Sequence, residues 1–219
     1  MFDLNGKRGL VVGIANDQSI AYGCAKAFRA AGAEIAATYL NEKAKRFVEP
    51  LTDALGCELL LPMDVREPGE LDAAFARIAD AWGGLDFLLH SIAFAPKDDL
   101  HGRVVDSSQA GFALAMDVSC HSFIRMARRA EPLMTGGGAL MTMSYFGAEI
   151  VVAQYNVMGP VKAALEASVR YMAAELGPKG VRVYALSPGP VATRAASGID
   201  RFDDLMEAAA ARAPRQALV

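Results

Sequence analysis

Cysteine and histidine are scarce in this 219-residue chain, at three of each. Cys24, Cys57 and Cys120 stand far apart without metal-like spacing. So odd and sparse a set excludes a disulfide framework and suggests small core residues in a reducing cytosol, giving cytoplasmic localisation as the expectation. His90, His101 and His121 form no ligand cluster, and no metal site is expected. Although 53% of the residues are hydrophobic, no apolar run approaches the length of a membrane span, and the opening M-F-D-L-N-G-K-R lacks the apolar region of a signal peptide. A soluble chain with no membrane partner is therefore expected. Basic excess is also missing: 22 basic against 25 acidic residues leave a net charge of −3, which gives no support to a nucleic-acid surface. There is no repeat, low-complexity tract or shift of composition, so residues 1–219 are read as one domain large enough to bury a sizeable core.

Short apolar runs alternate with helical periodicity along the chain. Strands are expected at Arg8–Gly13, Glu34–Tyr39, Cys57–Met63, Leu85–Ile92, Ala139–Met143 and Val181–Leu186. Between them, helices are expected at Ser19–Ala31, Asn41–Leu55 (kinked or ended by Pro50), Pro68–Trp82, most of Ser108–Met134, and Gln154–Leu176. Asp203–Arg212 reads as a short final helix. Buried strands alternating with helices of this length predict a parallel sheet covered on both faces, a three-layer α/β/α, doubly wound, Rossmann-like fold. Its expected strand order is 3-2-1-4-5-6.

The candidate ligand residues fall at strand ends. The turn from Gly13 to Gly23 (G-I-A-N-D-Q-S-I-A-Y-G) follows the first strand, where backbone amides and a helix N-terminus can hold a pyrophosphate. Gly13 permits the tight turn, Ser19 can cap the helix and donate to phosphate, and Ile20 follows it. The spacing is not G-x-G-x-x-G, and the same turn would serve a purely structural corner. Asp64 and Val65, after the third strand, could accept an adenine amino group and donate a backbone N–H. Ser91-Ile92-Ala93 ends the fourth strand beside the expected switch point, and the segment Ser187–Thr193, with Val191 and Thr193, follows the sixth. Taken singly, each could be an ordinary loop or cap; all fall on the carboxyl edge of the expected sheet.

The stretch Met143–Leu165 holds Tyr145, Tyr155 and Lys162. If Gln154–Leu176 is helical, seven steps of about 100° return Lys162 to nearly the face of Tyr155, roughly 10 Å along the axis. A phenol and an ammonium so placed suit a proton-handling site; an amphipathic core tyrosine and a solvated lysine are the plain alternative.

Together these segments carry a resemblance. G-I-A-N-D-Q-S-I-A-Y-G, M-D-V at 63–65, H-S-I-A-F-A-P at 90–96, S-Y-F-G-A-E at 144–149, Y-N-V-M-G-P-V-K at 155–162 and R-A-A-S-G-I at 194–199 resemble the bacterial NADH-dependent enoyl-acyl-carrier-protein reductases, within the short-chain dehydrogenase/reductase superfamily. The match runs in order over essentially the whole chain. The six residues between Tyr155 and Lys162 are the family's spacing, where most of the superfamily has three; Tyr22/Lys26 and Tyr39/Lys43 have the shorter spacing near strands one and two and are read as coincidental.

The resemblance implies NADH-dependent reduction of the 2,3 double bond of a trans-2-enoyl thioester carried on acyl carrier protein, in fatty acid biosynthesis. It implies Tyr145, Tyr155 and Lys162 as catalytic residues. Cofactor contacts would come from Gly13, Ser19, Ile20, Leu40, Asp64, Val65, Ser91, Ile92, Ala93, Lys162, Val191, Thr193 and Ala195. Ala95, Tyr145, Tyr155, Met158, Ile199 and Phe202 would meet the acyl substrate. It also implies a homotetramer. Two departures stand out. Leu40 replaces the glutamine often found after strand two, and Lys43, Lys45 and Arg46 nearby could attract a 2′-phosphate, so NADPH stays open beside NADH. The family continues past the position of Val219 with a helix, a seventh strand and a V-D-G-G-like segment; because every expected site residue is kept, an omitted segment is expected rather than a disabled protein. A carbonyl or alcohol dehydrogenase of the same superfamily, or a nucleotide-binding protein without turnover, are the rival readings.

Overall fold

The structure is a computed structural model that describes residues 3–193 and 202–215. Six parallel strands form one sheet in the order β3-β2-β1-β4-β5-β6: β1 Arg8–Val12, β2 Glu34–Tyr39, β3 Leu59–Pro62, β4 Phe87–His90, β5 Gly138–Met143 and β6 Val181–Leu186. The doubly wound order expected from the sequence is the order found. β1 is central, with Arg8 beside Glu34 of β2 and Gly9 beside Phe87 of β4. The chain builds outward from β1 in one direction, then returns to lay β4 on its other side. The crevice between the ends of β1 and β4 is therefore the topological switch point.

Alternation along each strand separates two cores. Leu10, Val12, Leu88 and Leu140 face one side, against α3 (Glu70–Trp82), α5 (Gln109–Met116), α6 (Ser122–Ala130) and α7 (Met158–Leu176). Val11, Ile35, Ala37 and Leu89 face the other, against α1 (Ile20–Ala30) and α2 (Glu42–Ala54). β6 breaks the two-sided burial: Val181 and Val183 are buried, while Arg182, Tyr184 and Leu186 are exposed. Parallel strands normally have both faces covered; among the described residues, the second face of β6 is left exposed.

Several boundaries differ from expectation. α2 runs through Pro50 to Ala54, because the buried Val48 and Thr52 hold the turn on either side, with the Thr52 hydroxyl bonded back to the Val48 and Glu49 carbonyls. A short helix, α4 (Lys97–His101), went unread, although Pro96 precedes it and Asp98 and Asp99 occupy its first turn. Asp117–His121, between α5 and α6, is a π-helical turn. The largest correction concerns Tyr155. It is not on the following helix, which starts at Met158, because Gln154 and Asn156 on either side have left-handed φ of 66° and 44°. Neither conformation can continue an α-helix. α8 (Phe202–Arg212) is the final described helix.

Candidate active site

Two cavities meet over the switch point. The first, of about 360 Å³, is lined by Ile20, Ser91, Ile92, Ala93, Ala95, Tyr145, Tyr155, Met158, Lys162, Val191 and Thr193, among others. The second, of about 560 Å³, has Gly13, Leu40, Asp64 and Val65 in its wall and shares Ser91, Ile92, Ala93 and Phe94 with the first. The expected residues thus line one continuous cleft across the strand ends. Ser19 lines neither cavity. Ala195 and Ile199 lie outside the described residues, as does the side chain of Phe202.

At the β1 turn, Gly13 has φ 112°, and a β-carbon there would lie 2.1 Å from the Ser91 carbonyl oxygen. Only a glycine lets the two strand ends approach this closely. Ser19 holds the N-cap position of α1, but its hydroxyl does not cap the helix. It accepts from the Ala15 and Asn16 amides at 3.0 Å each and donates to Asn16 Oδ1, so it shapes the turn. The first-turn amides of α1 consequently have no side-chain cap, which is the arrangement that suits an anion.

Asp64 is nearly buried, with both carboxylate oxygens held by Arg66, at 2.6 Å from Nη2. Hydrogen bonding from Arg66 keeps its carboxyl below the usual range. The Asp64 amide donates to Glu70, and the Val65 carbonyl accepts from Arg125. This corner is fixed by residues on α3 and α6 that the sequence reading did not single out; an arginine two places after a strand-end aspartate was the available signal.

Tyr145 and Tyr155 stack obliquely, ring centroids 4.8 Å apart at 60°. Burial raises both phenols, and Tyr145 pushes Tyr155 further up, so Tyr155 stays protonated. Asn156, beside it, donates to the Leu100 carbonyl of α4 at 2.8 Å, which ties the left-handed turn down. Lys162, in the first turns of α7, is buried and donates to the Met143 carbonyl at 2.6 Å. Burial lowers its ammonium to about 8, opposed by Cys120 and Glu166. A phenol held neutral and an ammonium still able to carry charge, lining one cavity, give the cleft a proton donor and a cation.

An enoyl-acyl-carrier-protein reductase family model matches residues 13–219, nearly the whole chain. The chain belongs to the enoyl-acyl-carrier-protein reductase family. It is 50% identical over 199 residues to the enoyl-acyl-carrier-protein reductase (NADH) 1 of Rhizobium meliloti, covering 91% of this chain and 73% of that one. With the Salmonella typhimurium enzyme it shares 48% over 204 residues, 93% of this chain and 78% of that one. Among solved structures, the Anaplasma phagocytophilum reductase in complex with NAD superposes with a TM-score of 0.94 at 48% identity, covering 98% of this chain and 82% of that one. The Bacillus cereus reductase, with NADP+ and indole naphthyridinone, gives 0.95 at 44%, covering 99% and 85%.

For a member of the enoyl reductase family, the polar groups beneath the cleft gain interest. His90, wholly buried at the end of β4, lies 2.8 Å from Thr142 Oγ1 through Nδ1 and 2.8 Å from Ser122 Oγ through Nε2. Ser122 already donates its proton to the Val118 carbonyl, so His90 Nε2 must be the N–H and Thr142 must donate to Nδ1. Burial foremost, and then the Lys162 charge, hold His90 neutral, with its pKa near 3. The π-helical turn places Ser119 against the loop after β4, where its hydroxyl accepts from the Phe94 amide at 2.9 Å and donates to the Phe94 carbonyl at 3.1 Å. In the sequence the three histidines show only that they form no ligand cluster. A histidine at the end of an apolar strand was the one sign of this network.

Proposed function

We infer that the chain catalyses the NADH-dependent reduction of the 2,3 double bond of trans-2-enoyl-acyl-carrier-protein thioesters, a step of fatty acid biosynthesis. The observation that carries this reading is the shared cavity of Tyr145, Tyr155 and Lys162, at the family's tyrosine–lysine spacing, in a chain of this family. The cleft suits a dinucleotide: Gly13 lets the ends of β1 and β4 approach closely at its wall, and the two cavities join at Ser91–Phe94. Gly13 and Ile20 would meet the pyrophosphate, Leu40, Asp64 and Val65 the adenosine end, and Ser91, Ile92, Ala93, Val191 and Thr193 the nicotinamide end. The bound reduced nicotinamide supplies the hydride that reaches the substrate β-carbon.

The protein's contribution is positional and electrostatic. As the β-carbon is reduced, negative charge develops on the thioester oxygen. Tyr155, kept protonated by burial, donates a hydrogen bond there. Lys162 has three N–H donors, of which the Met143 carbonyl takes one, leaving two for ribose hydroxyls. Its positive charge also favours the enolate beside it. Tyr145 braces the Tyr155 ring, and Ala95 and Met158 supply apolar wall for the acyl chain. Solvent provides the proton that completes the α-carbon.

Loss of NADH absorbance on addition of a crotonyl thioester tests the activity, and Tyr155→Phe tests the phenol. Wild-type turnover with a variant slowed on the order of 10² to 10³-fold is expected. No turnover by a protein that binds NADH would overturn the reading, and full activity of Tyr155→Phe would overturn the role of that residue. Lys43 lines the second cavity, so NADPH belongs in the same assay as a competing cofactor.

Residues 1–219 form one catalytic unit in this reading, acting in the cytoplasm as a homotetramer. The exposed Tyr184 and Leu186 on the open face of β6, and Tyr171 on α7 at 74% exposure, support burial against further copies. Sedimentation equilibrium reads the assembly directly; a monomer at micromolar concentration would remove it.

A further inference from the structure

Lys162 and Glu166 are one turn apart on α7, so their side chains leave the same face of that helix. Each grips one of two consecutive residues at the end of β5. Lys162 donates to the Met143 carbonyl, and the carboxylate of Glu166 accepts the hydroxyl proton of the buried Ser144. On its other side, the Ser144 amide donates to the Leu186 carbonyl of β6 at 2.7 Å. The next residue is Tyr145, whose ring lies against Tyr155. Met143, Ser144, Tyr145 and Lys162 all line the first cavity, and Glu166 stands behind them.

We propose that Glu166 is a positioning residue, which fixes the end of β5 through Ser144 and supplies the counter-charge for the buried Lys162 ammonium. This deepens the enoyl reductase reading and rests on it. A hydroxyl bound only to neutral groups would fix Ser144 equally well; the carboxylate adds a negative charge on the face that carries the lysine. Among the described residues, the groups facing Lys162 from the elements around it are Cys120 from the π-helical turn, His90 from β4, Tyr145 and Tyr155 from the loops, and Glu166 from α7 itself. His90 is held neutral, and burial raises the Cys120 thiol and both phenols. Glu166 is the acidic side chain among them, on the same helix face as the lysine. Its effect on Lys162 is to favour the charged form against burial.

Two substitutions separate the charge from the tether. Glu166→Gln keeps an acceptor for Ser144 and removes the charge; Ser144→Ala keeps the charge and removes the tether. NADH affinity, followed by nicotinamide fluorescence from pH 6 to 10, needs no turnover. In Glu166→Gln its alkaline fall should move to lower pH by about one unit, a shift that loss of packing alone would not produce. In Ser144→Ala the fall should stay in place while kcat for a crotonyl thioester drops about tenfold, as Tyr145 loses its fixed position. Coincident affinity profiles for wild type and Glu166→Gln would overturn the counter-charge. Unchanged kcat in Ser144→Ala would overturn the positioning. Should the wild type bind NADH yet reduce no thioester, the enoyl reductase reading fails by itself, and the positioning of Tyr145 for catalysis fails with it. The affinity profiles still decide the counter-charge.

Discussion

A β-carbon on Gly147 would lie 2.4 Å from Cδ1 of the Tyr155 ring. The glycine forms a wall against which the ring of the proposed catalytic phenol packs. Gly147→Ala should push Tyr155 aside by a fraction of an ångström to about 1 Å, lowering kcat by on the order of 10²-fold. NADH affinity should change little, because Gly147 lines neither cavity. Steady-state kinetics with NADH titration checks this; an unchanged kcat would mean the ring has room to yield.

Gly13→Ala acts at the other end of the cleft. With φ 112° and the Ser91 oxygen 2.1 Å from the new carbon, both the β1 turn and the end of β4 must shift. Strain of this kind costs about 1–3 kcal/mol. Chemical denaturation should show that loss, and NADH affinity should fall at least tenfold. Retained affinity at reduced stability would argue that the dinucleotide does not depend on this turn.

His90 gives the acid side of stability a definite sign. Its folded pKa near 3 lies below the ordinary 6.5, so between these values the unfolded chain binds a proton that the folded chain refuses. Stability is therefore full above about pH 6.5 and declines toward pH 3, by at most about 1.4 kcal/mol per unit. His90→Gln can keep both hydrogen bonds without titrating. Urea unfolding at pH 6.5 and 5 should show the wild type losing about 1.6 kcal/mol more than the variant. Equal losses would show that the imidazole does not resist protonation.

Lys162 gives the alkaline side. Its folded pKa near 8 is below the ordinary 10.5, so burying the ammonium opposes folding at neutral pH, and that penalty is relieved as pH rises from 8 to 10.5. NADH affinity runs the other way, weakening about tenfold per unit above pH 8 as the ribose-holding charge is lost. Lys162→Met should bind NADH poorly at every pH, yet melt no lower than wild type at pH 7. A much lower melting temperature would assign the lysine a structural role instead.

How far the sequence could be read follows from what periodicity can register. Strand positions and sheet order were legible because apolar runs such as Phe87–His90 have no other place in a two-sided sheet. The cleft was legible because the expected residues stood at strand ends. Tyr155 was misplaced onto a helix because apolar spacing continues back past Met158, while the positive φ of Gln154 and Asn156 leaves no trace in hydropathy. Asn156 was the available hint, since asparagine tolerates the left-handed region. The supports of the site were harder still to read. Ser119 reaches Phe94, and Ser144 reaches Glu166, through hydrogen bonds between elements far apart in sequence. Nothing in either residue's neighbourhood marks it out.

The central position of β1 bears on how the protein is made. β1 can pair with β2 as soon as the first crossover has left the ribosome, but its other edge waits for Phe87–His90. The groove between β1 and β4 therefore cannot exist until His90 has been made, and a nascent chain that stalls before it would carry a central strand paired along one edge and open along the other, with nowhere for a dinucleotide to sit.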